Sequence, residues 1–196
     1  MEKMQVVKRR GKVEELDLNK VHNMVEEACE GLTGVSASQV EIQSNLQFHD
    51  NIKTEDIQEI LIRSASDLID LEHPNYQFVA ARLLSVQLRK KLWGRSRKPS
   101  HIKDHLFKGA EKGIYDPNLW GSYTDVEWDR INNYIDYDRD NQFTYAGLRQ
   151  VTDKYLVQDR SSGEIYETPQ QMYILIAATI FSMYPLETRL TYVKNY

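Results

Sequence analysis

VVKRRGKVEELDLNKV, Val6 to Val21, places two short apolar runs on either side of a basic turn centred on Gly11, then turns acidic. Val6 and Val7 open one short strand, Arg10-Gly11 supplies the turn, and Val13 to Leu16 return as a second strand. Asp17 then stands where a helix N-cap belongs, ahead of Val21, Val25, Ala28 and Leu32 at helical spacing. A hairpin feeding directly into a helix is therefore the expected opening of the fold.

Working outward, Ser38-Gln39-Val40-Glu41 has the form of a capping box, and a second helix is expected from Ser38. A third begins at Thr54, with Glu55 and Asp56 in its first turn, where acids suit the helix dipole. Ile57, Ile60, Leu61, Ala65, Leu68 and Ile69 form its apolar stripe. Pro74 opens a fourth helix that runs to Trp93, with Gly94 as its C-cap. Residues 1–94 thus read as a domain of a hairpin and four helices, 95–103 as a basic, proline-containing linker, and 104–196 as a second, helical region. In that region a helix is expected from His101 to Lys112, and another behind the capping box Thr124 to Glu127, carrying Trp128, Ile131 and Ile135. Lys154 to Glu167 reads as a hairpin turned at Ser162-Gly163. Thr168-Pro169 starts a helix expected to bury Met172, Leu175, Ile176, Ile180 and Met183. Glu187 to Tyr196 reads as a further helix with no terminator, as in a piece of a longer chain or one half of a split protein. The fold class is mainly α with short β-hairpins.

Composition narrows the function. A net charge of -4 argues against general nucleic-acid binding. The single cysteine, Cys29, excludes a disulfide framework within the chain and any multi-cysteine metal site. The most apolar run, Met172 to Phe181, is too short for a bilayer span of ~20 residues. No secretory signal pattern opens the sequence, so a soluble cytoplasmic protein is expected.

Few residues suggest chemistry. Lys8, Arg9, Arg10 and Lys12 alternate across a short strand and cannot all face one way. One or two of them can meet the start of the following helix, whose free N–H groups favour anions. Glu14, Asp17 and Asn19 add groups suited to a sugar or base edge, while Thr54 and Lys90 supply further polar anchors at helix ends. The plainer reading is a solvated hairpin, with charges that only keep it soluble. Any phosphate site here lacks a P-loop. The basic run Leu88 to Lys103 reads as a helix end and linker rather than a nucleic-acid patch, having only Trp93 for stacking. Asp136, Asp138 and Asp140 resemble the start of a calcium loop, but Asn141 and Gly147 stand where glycine and a bidentate glutamate are required. The histidines show no paired zinc spacing, and Cys29 is expected to be buried and inert. No nucleophile, base and orienter assemble, so no catalytic residue and no metal ligand is assigned.

VVKRRGKVEELDLNKVH resembles the start of an ATP-cone, the regulatory nucleotide module of ribonucleotide reductases. NIKTEDIQEILIRSASDLI and PNYQFVAARLLSVQLRKKLWG are similar to its third and fourth helices. GIYDPNLW, IDYDRDNQFTYAGLRQ, KYLVQDRSSGEIYET and YPLETRLTYVK resemble the N-terminal helical region of the class I large (alpha) subunit, in its bacterial or bacteriophage form. The resemblance covers nearly the whole chain. It implies an allosteric site for ATP or dATP, with Mg2+ an open addition. Lys8 and Arg9 match a basic pair on the phosphates. Glu14, Glu15, Leu16, Asp17, Leu18, Asn19 and Lys20 match the segment around base and sugar. Thr54 matches a cap residue near the phosphates, Lys90 a second phosphate-binding lysine, and Arg10 and Lys12 are left solvated. Gln58 and Gln87 stand where histidines linked to dATP inhibition are expected, which puts inhibition in doubt but not binding. The resemblance also implies partners: the rest of the large subunit, with a barrel that holds the catalytic cysteines, a radical-generating small (beta) subunit, and a second large subunit. Neither nucleic acid nor a membrane is among them. A stand-alone nucleotide-sensing module is the alternative. The related repressor family needs a cysteine-rich zinc ribbon that one cysteine cannot supply, and a helical scaffold that has lost its ligand is a third reading.

Overall fold

A computed structural model describes residues 4–8, 11–94 and 98–196. The chain divides into two compact units, Met1–Gln87 with Asn141–Arg149, and Leu88–Asp140 with Gln150–Tyr196.

In the first unit the hairpin forms as expected. β1 (Gln5–Val7) pairs antiparallel with β2 (Val13–Glu15), in the register Val6↔Glu14. Gly11 closes the turn at φ +77°, a conformation that glycine adopts without a Cβ penalty. Val6 alone of β1 is fully buried, because alternate residues of a strand face opposite sides. A third strand, absent from the sequence reading, completes the sheet: β3 (Ile52–Lys53) lies parallel to β1, with Val6↔Ile52 and Val7↔Lys53. The Asn51 N–H donates to the Gln5 carbonyl at 2.9 Å, and the Gln5 N–H donates to Asp50 Oδ1 at 2.8 Å, so the approach to β3 is locked to β1.

Asp17 caps α1 (Leu18–Cys29) as its position predicts, accepting from the Asn19 N–H at 3.1 Å. The capping box expected at Ser38 does not form. α2 (Ala37–Asn45) starts earlier, with Ser36 at the cap position and no side-chain cap. The Ser36 N–H instead donates to the buried Tyr76 hydroxyl at 3.0 Å, and that hydroxyl donates to Gln39 Oε1. A tertiary contact thus replaces the local one. α3 (Thr54–Asp67) buries Ile57, Leu61, Ile62 and Ala65. Ile69 lies beyond its end and is exposed, contrary to the stripe read from sequence. α4 (Tyr76–Trp93) ends at Gly94, which has φ +62°. Val79, Ala80 and Leu83 of α4 join Val25, Val40 and Leu61 in one core, to which Leu148 also belongs.

The second unit is helical, with α5 (Ile102–Glu111), α6 (Pro117–Trp120) and α7 (Asp125–Asn133); next in the chain, α8 (Tyr145–Gln150) belongs to the first unit up to Arg149, and α9 (Pro169–Phe181) and α10 (Arg189–Asn195) return to the second. The capping box at Thr124 forms as expected, and Trp128 and Ile131 are fully buried. Between α8 and α9 the hairpin shrinks to β4 (Gln158–Asp159) and β5 (Glu164–Ile165), since Val151–Tyr155 winds into a π turn. Thr168 and Gln171 form a further capping box at α9. Its burial departs from expectation. Ile174, Leu175, Ala177 and Ala178 face the core, while Ile176, Ile180 and Met183 are exposed. Among the described residues no helix is long and apolar enough to cross a membrane.

Candidate functional site

The hairpin carries the candidate anchors. Lys8 sits at the end of β1, where its N–H donates to the Lys12 carbonyl and its carbonyl accepts from the Gly11 N–H, both at 2.8 Å. Its side chain is partly exposed, with the ammonium 3.5 Å from Glu14 Oε2. Lys12, read as merely solvated, approaches the same carboxylate at 2.9 Å. Hydrogen bonding and charge from Lys12, then from Lys8, hold the Glu14 carboxyl below its ordinary pKa. Arg9 and Arg10 lie outside the described residues.

The parallel pairing of β1 with β3 decides what Lys8 meets. With Val7 opposite Lys53, the next residues on the two segments are Lys8 and Thr54, 46 positions apart in sequence, and Thr54 begins α3. The cap position falls on Lys53 rather than on Thr54. Lys53 is the residue that sequence reasoning missed. It is an exposed cation at a helix N-terminus, where free N–H groups already favour anions. Its lone signal was its place just before Thr54, and nothing local reveals that Ile52 and Lys53 pair with β1.

Glu14 to Lys20 lead away from that end. The Leu16 N–H donates to the Met4 carbonyl at 2.8 Å, so Leu16 lies about 13 Å from the Lys8 row at ~3.3 Å of rise per residue. Leu16 packs on the core, Leu18 is exposed, and Glu15 and Asn19 are exposed. The Lys20 ammonium bridges to Asp17 Oδ2 at 3.1 Å, and that bond is the largest cause of the lowered Asp17 pKa. One end of the sheet thus offers cations and the N-terminus of α3. The other offers carboxylates, the Asn19 amide and the N-terminus of α1.

The other assigned positions fall elsewhere. Lys90 is half-buried in the last turns of α4, on the stretch belonging to the second unit. Gln58 and Gln87 are buried in the first unit: Gln58 Nε2 donates to the Leu83 carbonyl at 3.5 Å, and Gln87 Nε2 donates to Glu59 Oε2 at 3.0 Å. Cys29 is half-buried rather than buried, and desolvation raises its pKa, so little thiolate forms. It borders an open groove with Asn23, Glu26, Glu27 and Glu30, an acidic lining that repels phosphate. Asp140 turns inward, where Arg89 Nη2 donates to it at 3.3 Å, as does Gln170 Nε2. Among the described residues no group of three or more His, Cys, Asp or Glu side chains is placed to hold a metal ion.

Comparison with known proteins gives the chain's relatives. The ATP cone domain family matches residues 4–91, and the all-alpha domain family of ribonucleotide reductase matches residues 141–196. The chain is 49% identical over 191 residues to ribonucleoside-diphosphate reductase 1 subunit alpha of Escherichia coli, across 97% of this chain and 25% of that protein. It is 46% identical over 193 residues to the subunit alpha of Haemophilus influenzae, across 98% of this chain and 25% of the relative. With the subunit alpha of Enterobacteria phage T4 it shares 36% identity over 198 residues, across 100% of this chain and 26% of the relative. It spans about a quarter of the length of these relatives. The chain thus carries an ATP cone domain followed by the all-alpha domain of ribonucleotide reductase, and is similar to the N-terminal part of ribonucleoside-diphosphate reductase alpha subunits.

Proposed function

We propose that this chain is the nucleotide-sensing region of a ribonucleoside-diphosphate reductase, and that ATP or dATP binds along its three-stranded sheet. Phosphates lie at the end bearing Lys8, Lys53 and the α3 N-terminus at Thr54, with Arg9 as a further cationic contact. Base and ribose lie along Glu14, Glu15, Leu16, Asp17, Leu18, Asn19 and Lys20. The observation that carries the reading is the β1–β3 register, which sets a lysine beside a helix N-terminus about 13 Å of strand away from the carboxylate-rich end. That separation suits an extended nucleotide. Mg2+ is an optional companion of the phosphates.

The whole enzyme reduces ribonucleotides to deoxyribonucleotides. In this proposal its chemistry lies in the rest of the large subunit, working with a radical-generating small subunit and a second large subunit. The chain alone carries one cysteine, too few for a thiyl radical plus a redox pair, and turns over nothing by itself. A cytoplasmic location belongs to the same proposal. Isothermal titration with ATP tests the reading: saturable 1:1 binding is expected, and no heat of binding would overturn it. Gln58 and Gln87 donate to neutral or acidic protein groups and carry no charge, so dATP is expected to bind with little inhibition. Strong inhibition of the assembled enzyme by dATP would contradict that part.

A further inference from the structure

α9 runs thirteen residues, PQQMYILIAATIF, without one charged side chain, in a chain of which 28% is charged. A helix apolar on every side belongs in an interior. Only one of its faces is covered. The other presents Tyr173, Ile176 and Ile180 at helical spacing, and Met183, 92% exposed, extends the stripe past the helix end. Beside it, Phe181 stacks on Tyr192 at 5.4 Å and meets Tyr184 edge-on at 5.1 Å, with Tyr184 and Tyr192 both exposed. Rigid aromatic and aliphatic groups gathered without charge are what the centre of a protein interface contains, and an apolar patch of this kind is rarely left in water.

We infer that the exposed face of α9, with the adjoining aromatic cluster of α10, is the seat of the downstream part of the large subunit. This inference rests on the reading of the chain as the N-terminal region of that subunit. Three observations select the occupant. About three quarters of each relative's length lies outside the match, enough polypeptide to cover the face. The all-alpha match runs through Tyr196, whose ring meets Phe181 at 6.4 Å, so polypeptide continuing past this point in the relatives leaves from the patch itself. α9 is too short to cross a bilayer, which needs ~20 apolar residues, so its open face is not part of a membrane span.

Methionine footprinting tests the inference. The chain is compared alone and joined directly to the downstream three quarters of the Escherichia coli subunit alpha, using hydrogen peroxide as the probe. Met183 should oxidise readily in the chain alone and about tenfold more slowly in the joined protein, whereas Met172, buried in both, should be slow throughout. Ile180→Asp in the joined protein should restore fast oxidation of Met183. Because Ile180 is already exposed, the variant should keep the helical circular dichroism of the chain alone. Equal Met183 oxidation rates in the two proteins would overturn the inference. So would a concentration-dependent dimer of the chain alone that Ile180→Asp abolishes, since a second copy would then own the face. ATP titration of the same samples separates this outcome from the nucleotide reading: binding without protection sinks only the docking face, and protection without binding sinks only the sensor.

Discussion

The ammonium of Lys8 lies 3.5 Å from Glu14 across the hairpin, and Glu14 also takes Lys12 at 2.9 Å. One carboxylate therefore orders two cations at the end of the sheet where α3 begins. Lys12 is mostly exposed, so its pairing contributes little to stability, whereas Lys8 is the cation that shares its row with Thr54.

Lys8→Ala is accordingly expected to weaken ATP binding by about ten- to a hundredfold, the equivalent of losing one charge-assisted contact of roughly 1.5–3 kcal/mol. Lys12→Ala should change affinity about twofold or less. Titration calorimetry of the two variants checks the contrast, and equal losses would mean that the hairpin acts through net charge alone.

A second prediction concerns Tyr115. Its hydroxyl donates to the buried Glu167 Oε2 at 2.9 Å, while Glu167 Oε1 accepts the Val157 N–H at 2.9 Å. Since the hydroxyl proton is committed to Glu167, the His105 Nε2, 3.0 Å away, carries the hydrogen and donates to Tyr115. Tyr115→Phe leaves one Glu167 oxygen and the His105 N–H without this partner and should cost about 1–3 kcal/mol in urea denaturation. Gly109→Ala should also destabilise, because a Cβ there would sit 2.2 Å from the Tyr115 ring.

The same contact makes stability depend on pH. Burial, with a smaller contribution from Lys108, lowers the His105 pKa from 6.5 to about 4. On acidification the unfolded chain takes up the proton first, so stability present above pH 6.5 is lost as pH falls towards about 4. Glu167, whose pKa burial raises, works in the opposite sense. Urea midpoints of the native protein and His105→Gln at pH 7 and pH 5 isolate the histidine: the variant should show the smaller drop.

Arg189 and Glu127 supply a further acid-sensitive tie, between α10 and α7. Arg189 Nε donates to Oε1 at 2.7 Å and Nη2 to Oε2 at 2.6 Å, with the guanidinium 4.4 Å from the Tyr123 ring centre. The Arg189 hydrogen bond, the largest cause, lowers the Glu127 pKa from 4.5 to about 2. This stabilisation is complete above pH 4.5 and is lost as pH falls towards about 2; solvent screening leaves about 1–2 kcal/mol of it. Arg189→Met should remove that acid-dependent step and lower the melting temperature at pH 7. An unchanged acid profile would show that the pair does not couple the two helices.

Local signals were legible wherever the chain satisfies its own backbone. Asp17, Thr124 and Gly94 end or begin helices through groups one to three residues away, and Gly11 closes the hairpin with its own φ. Periodicity likewise placed Val25, Leu61 and Trp128 in cores. Long-range partners left no such trace. Tyr76 starts α2 from 40 residues away, and β3 is only two residues long, yet its pairing with β1 makes neighbours of Lys8 and Thr54. Hydrophobicity could say that α9 wants burial on every side, but not which side this chain covers. Sequence by itself therefore determined most of the helices, the caps at Asp17, Thr124 and Thr168 and the cations of the hairpin, because those depend on neighbours along the chain. Tertiary structure decided which helix N-terminus meets Lys8 and which apolar face is left open, because both depend on contacts between segments that the sequence keeps far apart.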